Sequence, residues 1–322
     1  MPRSSLVNRL APVAAWILGG ALWGGAIVGF DNTGLGGPGP GTLYSIDGAT
    51  GAVAAIGAGK GVALSQGPVG GTILYSVGVN VIELNVGTGQ SRAYLCAGGF
   101  CGPIGDHAYD SSTGAIYALS QLYPLGLGFP NPITGLFRLY DSGVPFPGVP
   151  DSTQIGYGPV GPLGVEGITT IEYVPGYGLI GTDGYQALYR ISEVSGQASL
   201  LAPLSIVLPV AGGITPMNGL AYDGDTGRLL GSAPYGQGDA GIGLARIYVI
   251  DFRIDPNSNV LFATASWLNE SPPNLTGIAA VNGVPEPGAM LLVGMGLVAM
   301  AMAGRRGGFR AVRRGRRTRG NG

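Results

Sequence analysis

The sequence is poor in charge, in cysteine and in histidine, and each shortage excludes a class of protein. Charged residues make up 11% of the 322 residues, and there are two cysteines and one histidine. Two thiols cannot build the disulfide framework of a small secreted scaffold, and without a histidine near them they make a poor zinc site. The sequence also lacks a Gly-Lys-Ser/Thr phosphate loop and a Gly-x-Ser-x-Gly nucleophile turn. We therefore predict no cofactor, no metal site and no catalytic residues.

The few charges are unevenly distributed along the chain. Seven basic and 17 acidic residues lie between Asp31 and Pro285, whereas eight of the 17 basic residues lie between Arg305 and Arg319. An acidic body repels phosphate backbones, so we do not expect it to bind nucleic acid.

Glycine and proline are abundant, with 62 and 24 residues. Glycine has no strict three-residue period, which excludes collagen. Short runs rich in Ile, Val, Leu and Tyr can bury a core, which argues against a disordered chain. Many short apolar runs separated by turn-forming residues predict an all-β fold.

One turn pattern recurs five times. A short apolar strand ends in Asp-x-x-Thr-Gly or a close variant, in which polar side chains can bond to turn amides and glycine accepts a positive φ. The copies span residues 47–51, 85–89, 110–114, 192–196 and 223–227. The pattern predicts β-hairpins. The last copy also resembles part of a calcium loop, but Arg228 and Leu229 stand where that loop continues toward a further carboxylate.

Two kinds of strand alternate along the chain. One kind begins with glycine or histidine and often contains tyrosine. Its copies begin near residues 107, 167, 219 and 277, in steps of 60, 52 and 58 residues. The other reads Leu-Tyr-x-Ile or similarly, at residues 43–46, 81–84, 136–139, 188–191 and 247–250. A repeat of this size with about four strands per unit predicts a β-propeller, with a β-sandwich or β-solenoid as the alternative.

The two ends of the body favour a closed ring. Residues 277–281 begin a repeat that is not completed, and residues 42–56 look like the second half of one. Pairing them would complete a blade and leave no exposed sheet edge. We predict a domain of residues 42–283 with about five blades, spanning 67–100, 106–156, 166–204, 218–267, and 276–283 joined with 42–58.

The first 30 residues read as an export signal. Arg3 and Arg9 precede an uncharged apolar run from Leu10 to Phe30, an order typical of a secretory signal peptide. The run is longer than a usual signal core and ends in no clean Ala-x-Ala site, so an uncleaved apolar membrane helix is the alternative. The Gly- and Pro-rich stretch at residues 31–41 is interpreted as a linker.

Three features follow one another near the C-terminal end. Val284, Pro285, Glu286 and Pro287 come first, then 17 uncharged residues at 288–304, and then Arg305 and Arg306. A helix of this length can just span a hydrocarbon core, so residues 288–304 are predicted to form a transmembrane helix. The two arginines would then act as a stop-transfer flank.

This order resembles the PEP-CTERM sorting domain of Gram-negative bacteria over residues 284–306. The resemblance implies recognition by an exosortase, a membrane transpeptidase-like enzyme. It also implies cleavage near the Pro285-Glu286-Pro287 motif, transfer from an inner-membrane precursor to the cell envelope or the exterior, and a link to exopolysaccharide or biofilm. Family tails usually stop soon after the arginines, whereas a basic tail at 307–322 follows here. A plain membrane anchor is the alternative.

Two further features suggest local chemistry. Cys96 and Cys101 flank a Gly-Gly pair, and in an oxidising compartment they could close a small loop as a disulfide; two reduced thiols are the alternative. His107, the single histidine, stands beside the carboxylates Asp106 and Asp110. It could act as a base or metal ligand near the ring axis, or it could simply mark the capped beginning of a strand.

We therefore expect an exported, non-catalytic binding or structural protein whose partner is a polysaccharide or an envelope protein. The alternative is an exported propeller enzyme, a metal-dependent hydrolase or lyase. That alternative would be favoured if at least three of five residues converged at metal-ligand distance: Asp106, His107, Glu166, Asp183 and Glu270.

Overall fold

The described part of the chain consists of β-strands, turns and loops. The computed structural model describes residues 26–31, 41–58, 61, 63–96, 103–122, 133–184, 186–207, 217–233, 245–254, 261–271 and 275–281. None of these residues is helical. The all-β prediction is therefore confirmed for this part of the chain.

Twenty strands follow one another along the sequence. The first ten are β1 (Ala26–Asp31), β2 (Thr42–Asp47), β3 (Val53–Ala58), β4 (Leu64–Gln66), β5 (Thr72–Val77), β6 (Asn80–Asn85), β7 (Ser91–Cys96), β8 (Ile104–Asp110), β9 (Ala115–Leu122) and β10 (Ile133–Pro145). The others are β11 (Ser152–Pro162), β12 (Thr170–Val174), β13 (Gly178–Thr182), β14 (Ala187–Ile191), β15 (Ala198–Val207), β16 (Gly219–Asp223), β17 (Arg228–Ala233), β18 (Ala245–Ile254), β19 (Leu261–Ser271) and β20 (Leu275–Val281).

The strands pair in groups of four. One sheet has the order β20-β1-β2-β3, and two eight-stranded sheets have the orders β4-β5-β6-β7-β11-β10-β9-β8 and β12-β13-β14-β15-β19-β18-β17-β16. Each larger sheet consists of two antiparallel meanders that meet through their fourth strands, which run parallel as β7 with β11 and β15 with β19. The described strands therefore form five antiparallel groups of four.

The two kinds of strand predicted from the sequence occupy fixed places in these groups. The glycine- or histidine-led strands are β8, β12, β16 and β20, and each is the first strand of its group. The Leu-Tyr-x-Ile strands are β2, β6, β10, β14 and β18, and each is the third. The period read from the sequence therefore corresponds to the real structural repeat.

The groups are arranged in a propeller-like way. Their first strands contact one another in a cycle, from β4 to β8, β12, β16, β20 and back to β4. Most of the buried apolar side chains form clusters between successive groups, such as the cluster that joins Leu74 and Tyr94 to Ile104 and Leu139. Both faces of each group are thereby covered, which explains why many strands are apolar on both sides.

Strand β1 corrects the predicted boundaries. Residues 26–31 were assigned to the apolar N-terminal segment and the linker, but they lie between β20 and β2 and pair with both. The body therefore includes Ala26–Asp31 in addition to the predicted residues from Thr42 onward, and β20 does not pair directly with β2. Ile27, Val28 and Phe30 are fully buried. A short strand that is apolar on both faces cannot be told from the end of an apolar helix by periodicity, which explains the error.

The five recurring turns lie at one end of the strands, here called the turn face. Each follows the first or third strand of its group, and in an antiparallel meander these strands run in the same direction. Contacts between neighbouring groups show that their first and third strands share this direction. Arg228 Nη1 donates to Gly48 O at 3.4 Å, and Tyr117 OH donates to Glu193 Oε2 at 3.2 Å. The parallel pairs β7–β11 and β15–β19 align the remaining groups.

Candidate functional site

The turns have the hydrogen bonding that their sequence predicts. Asp223 Oδ1 accepts from the Asp225 and Thr226 amides at 3.0 and 3.4 Å, and its Oδ2 accepts from Thr226 Oγ1 at 2.5 Å. Gly227 closes the turn with φ +69°, a value that favours glycine. Both carboxylate oxygens of Asp223 are thus occupied within the turn. The hairpin interpretation of residues 223–227 is confirmed, and the turn accounts for the calcium-loop resemblance.

A polar cluster is buried among the first strands. His107 in β8 is fully buried, and its Nδ1 lies 2.8 Å from Ser65 Oγ of β4. Burial lowers the pKa of His107 to about 4, so the imidazole is neutral at pH 7. Its Nε2 has no hydrogen-bond partner among the described residues. His107 lies inside β8, three residues after the strand begins, so the expectation of a capped strand start is wrong.

Asp106 connects β8 to the next group. Its Oδ2 accepts from Thr170 Oγ1 at 2.5 Å and from the Ile171 amide at 2.8 Å. Burial raises the pKa of Asp106 to about 7, because the charged form loses water, although these hydrogen bonds act in the opposite direction. The carboxyl group thus joins β8 to β12, the first strands of two successive groups.

Glu172 of β12 is a second buried carboxyl group in this region. Burial raises its pKa well above the usual value, and the charge of Asp106 raises it further. Its Oε2 has no hydrogen-bond partner within the described part of the chain. Glu172 is only 3% exposed and Asp106 only 4%. These carboxyl groups therefore lie in the interior of the fold and are closed to a substrate in this conformation.

The five residues of the metal-dependent alternative do not converge in the described structure. Asp106 and His107 are buried in β8, whereas Glu166 and Glu270 are exposed. Asp183 accepts from the Gln186 and Ala187 amides at 2.8 and 3.1 Å, so it caps a turn. Across the residues that the structure describes, no group of three or more His, Cys, Asp or Glu could hold a metal ion.

A cleft of about 870 Å³ opens between two neighbouring groups at the turn face. Its walls come mainly from the β6–β7 turn and the β10–β11 connection, at residues 82–93 and 145–153. Asp151, one of the lining residues, has φ +51°, a conformation that Asp tolerates better than most residues. The cleft could not be predicted from the sequence, because its two walls are about 60 residues apart in the chain.

The cleft has a fixed polar floor and rim. Glu83 is 7% exposed, and its Oε2 accepts from Tyr94 OH at 2.8 Å. At the rim, Arg92 Nη2 lies 3.0 Å from Asp141 Oδ2 and 3.4 Å from Thr153 Oγ1. The Arg92 guanidinium also lies 5.1 Å from the centre of the Tyr94 ring. The cleft thus combines ordered polar groups with apolar side chains, as small-molecule sites do.

The other predicted site residues lie at or beyond the limits of the described structure. Cys96, at the end of β7, is not a free thiol, whereas Cys101 is outside the described residues, so their pairing stays a prediction. The sorting motif at 284–287, the segment at 288–304 and the arginines at 305–306 are also outside them. No helix with the length and apolar character of a membrane span occurs among the described residues.

Comparison with known proteins gives only distant structural likenesses. No family model and no curated protein matches the sequence. A chain of a nidogen/laminin complex is similar at 13% identity and TM-score 0.43, over 80% of this chain and 100% of that one. A Lactobacillus plantarum protein matches at 11% identity and TM-score 0.39, over 80% and 99%. A structure of YCF48 bound to D1 peptide matches at 12% identity and TM-score 0.33, over 65% and 66%. The fold assignment rests on strand order and pairing.

Proposed function

We propose that the chain is an exported, exosortase-sorted protein whose body is a non-catalytic propeller with a binding or structural role in the envelope or outside the cell. One observation supports this proposal: every described strand lies after the basic start of the N-terminal signal and before the C-terminal sorting motif. The first described strand begins at Ala26, after Arg3, Arg9 and most of the apolar run, and the last described strand ends at Val281, three residues before Val284. Removal of the residues before Ala26 and of the sorting signal would leave every described strand in place.

The proposed body is a five-bladed propeller in which β20 and β1–β3 form the closing blade. The five groups of four strands and the cyclic contact of their first strands support this count. Closure by strands from both ends of the chain removes the open sheet edges that favour aggregation. A crystal structure of the exported protein tests the count, and two stacked sheets without a central axis would contradict it.

Sorting is tested by determining the C-terminus of the mature protein. The full chain is produced in a Gram-negative host with and without an exosortase, the cells are fractionated, and terminal peptides are identified by mass spectrometry. We expect the segment beyond Pro287 to be lost only when the enzyme is present. Glu286→Ala should block this loss, whereas Glu270→Ala, in an exposed position of β19, should not. An uncut tail in the inner membrane with active enzyme would favour a plain anchor.

The cleft is the described feature that best suits a binding role. Its volume of about 870 Å³ is within the range of known ligand sites, and its polar groups are held by neighbouring side chains. An acidic body does not favour polyanions, so we propose a neutral or weakly charged polysaccharide as the ligand. This choice also agrees with the exopolysaccharide link that the PEP-CTERM resemblance implies.

A pair of substitutions tests the cleft. Ser91→Trp places a large side chain at the exposed rim of the cleft, and Ser199→Trp places the same side chain at an exposed position of β15, away from it. We expect retention on immobilised exopolysaccharide to fall at least tenfold for Ser91→Trp and to be unchanged for Ser199→Trp. Equal retention of wild type and both variants would place binding elsewhere, and no retention of wild type would exclude the polysaccharide.

A further inference from the structure

Strand β1 is essential to the closing group, because it is the strand that attaches β20 to the sheet. In the order of the described strands, β20 has β1 as its single hydrogen-bonded neighbour. Six residues of β1 are in register with β20, and five are in register with β2. If β1 were removed, β20 would lose its sheet partner and β2 would become an open edge.

Both faces of β1 are packed against neighbouring groups. Ile27 belongs to a buried cluster with Leu230 and Ile247 of the β16–β19 group. On the opposite face, the Phe30 ring lies edge-on to the Tyr75 ring of β5, with centres 5.4 Å apart. The contribution of β1 to the fold is therefore both hydrogen bonding and packing on two sides.

The structure also divides the long N-terminal apolar run into two parts. The last part, from Ala26 onward, belongs to the body. The first part, Leu10 to Leu18, has nine uncharged residues after Arg9, which is within the usual length of a signal-peptide core. Between the two parts, Gly19 and Ala21 are small residues two positions apart, the spacing that signal peptidase cleavage requires.

We propose that the N-terminal signal is cleaved upstream of Ala26, after Ala21, so that the mature protein keeps the whole of β1. This inference rests on the proposed export of the protein. The signal is then 21 residues long rather than 30. The apolar run is longer than a signal core because its last residues form β1. Cleavage after Phe30 would produce a body without the strand that closes it.

The test is to identify the N-terminus of the exported full-length protein. Amines of the fractionated protein are labelled before digestion, and the labelled terminal peptide is sequenced by mass spectrometry. We expect a terminal peptide that begins at Leu22 and contains Ile27 to Asp31. An exported, protease-resistant protein that begins after Ala26, or that keeps Met1 in the membrane fraction, would overturn the inference and leave export intact. A cytoplasmic protein that keeps Met1 would overturn both.

A matched pair of variants tests the position of the cut. Ala21→Leu removes the small side chain at the proposed cleavage position, and Ala49→Leu introduces the same change in an exposed turn of the body. We expect the precursor to accumulate at least tenfold for Ala21→Leu, with no change for Ala49→Leu. Normal processing of Ala21→Leu would contradict cleavage after Ala21.

Discussion

Ala26 and Val281 pair directly in antiparallel register across β1 and β20. Ala26 also pairs with Asp47, the first residue of one of the recurring turns. The first and last residues of the described body therefore lie side by side at the turn face. The described body thus has its first and last residues at the same end of the strands, which is the end on which the cleft opens.

The close contact of β1 with β20 predicts a strong effect of Gly29→Val. A Cβ atom at Gly29 would lie 2.6 Å from Leu275 Cδ1 and 3.1 Å from Gly277 O. Overpacking of this kind costs about 1–3 kcal/mol. Gly57→Val in β3 is the control, because a Cβ there meets nothing within 4 Å. Urea unfolding should show a lower midpoint for Gly29→Val alone, and equal midpoints would mean that β1 is not packed as described.

The buried carboxyl group of Glu172 predicts a pH-dependent effect of Glu172→Gln. The folded-state pKa of Glu172 is raised well above its ordinary value of 4.5. Its contribution to stability is therefore present below about pH 4.5 and is lost as the pH rises through the folded-state pKa. We expect Glu172→Gln to be more stable than wild type at pH 8, by about 1–3 kcal/mol, with this advantage disappearing at pH 4.

Thermal unfolding of the two proteins across this pH range is the measurement. Asp106 and His107 titrate in both proteins. A rise in pH changes their contributions to stability in opposite directions, because the pKa of Asp106 is raised to about 7 and that of His107 is lowered to about 4. The contribution of His107 cancels in the comparison, whereas Asp106 and Glu172 interact by charge, so the difference between the two proteins reports on both carboxyl groups. Glu166→Gln is the control at an exposed position, and a pH-dependent difference of the same size there would remove the explanation.

The turn at residues 223–227 predicts that its two aspartates differ in importance. Asp223 is buried and accepts three hydrogen bonds from the turn, whereas Asp225 is exposed. By analogy with side-chain caps, Asp223→Ala should lower the free energy of unfolding by about 1–2 kcal/mol, and Asp225→Ala should have little effect. Denaturant titrations measure both. If added calcium raised the melting temperature of wild type but not of Asp225→Ala, the calcium-loop alternative would be favoured.

The predicted Cys96–Cys101 disulfide has a measurable contribution to stability. A loop of six residues closed by a disulfide should contribute about 2 kcal/mol. In the exported protein, Cys96→Ser and Cys101→Ser should each lower the free energy of unfolding by this amount, and the double variant should lose no more than either. Thiol alkylation should require prior reduction. Independent effects of the two substitutions, with alkylation before reduction, would support two reduced thiols.

Much of the fold follows from local sequence patterns. The turn motif identifies five hairpins because Asp, Thr and Gly act within a few residues of one another, as at Asp223 and Gly227. The two strand patterns identify the first and third strands of each group, because the apolar residues of a pattern reflect which faces of that strand are buried. These are short-range properties, so the repeat and the order of the groups could be predicted from the chain alone.

Tertiary structure alone decided the remaining features. The role of β1 depends on Val281 and Asp47, which are far from Ala26 in sequence. The hydrogen-bond partner of His107 is Ser65 of another group, and the raised pKa of Glu172 depends in part on Asp106. The cleft exists because two distant connections meet at the turn face. Each of these features arises from contacts between segments that no local pattern brings together, which is why the sequence could indicate their residue types but not their positions.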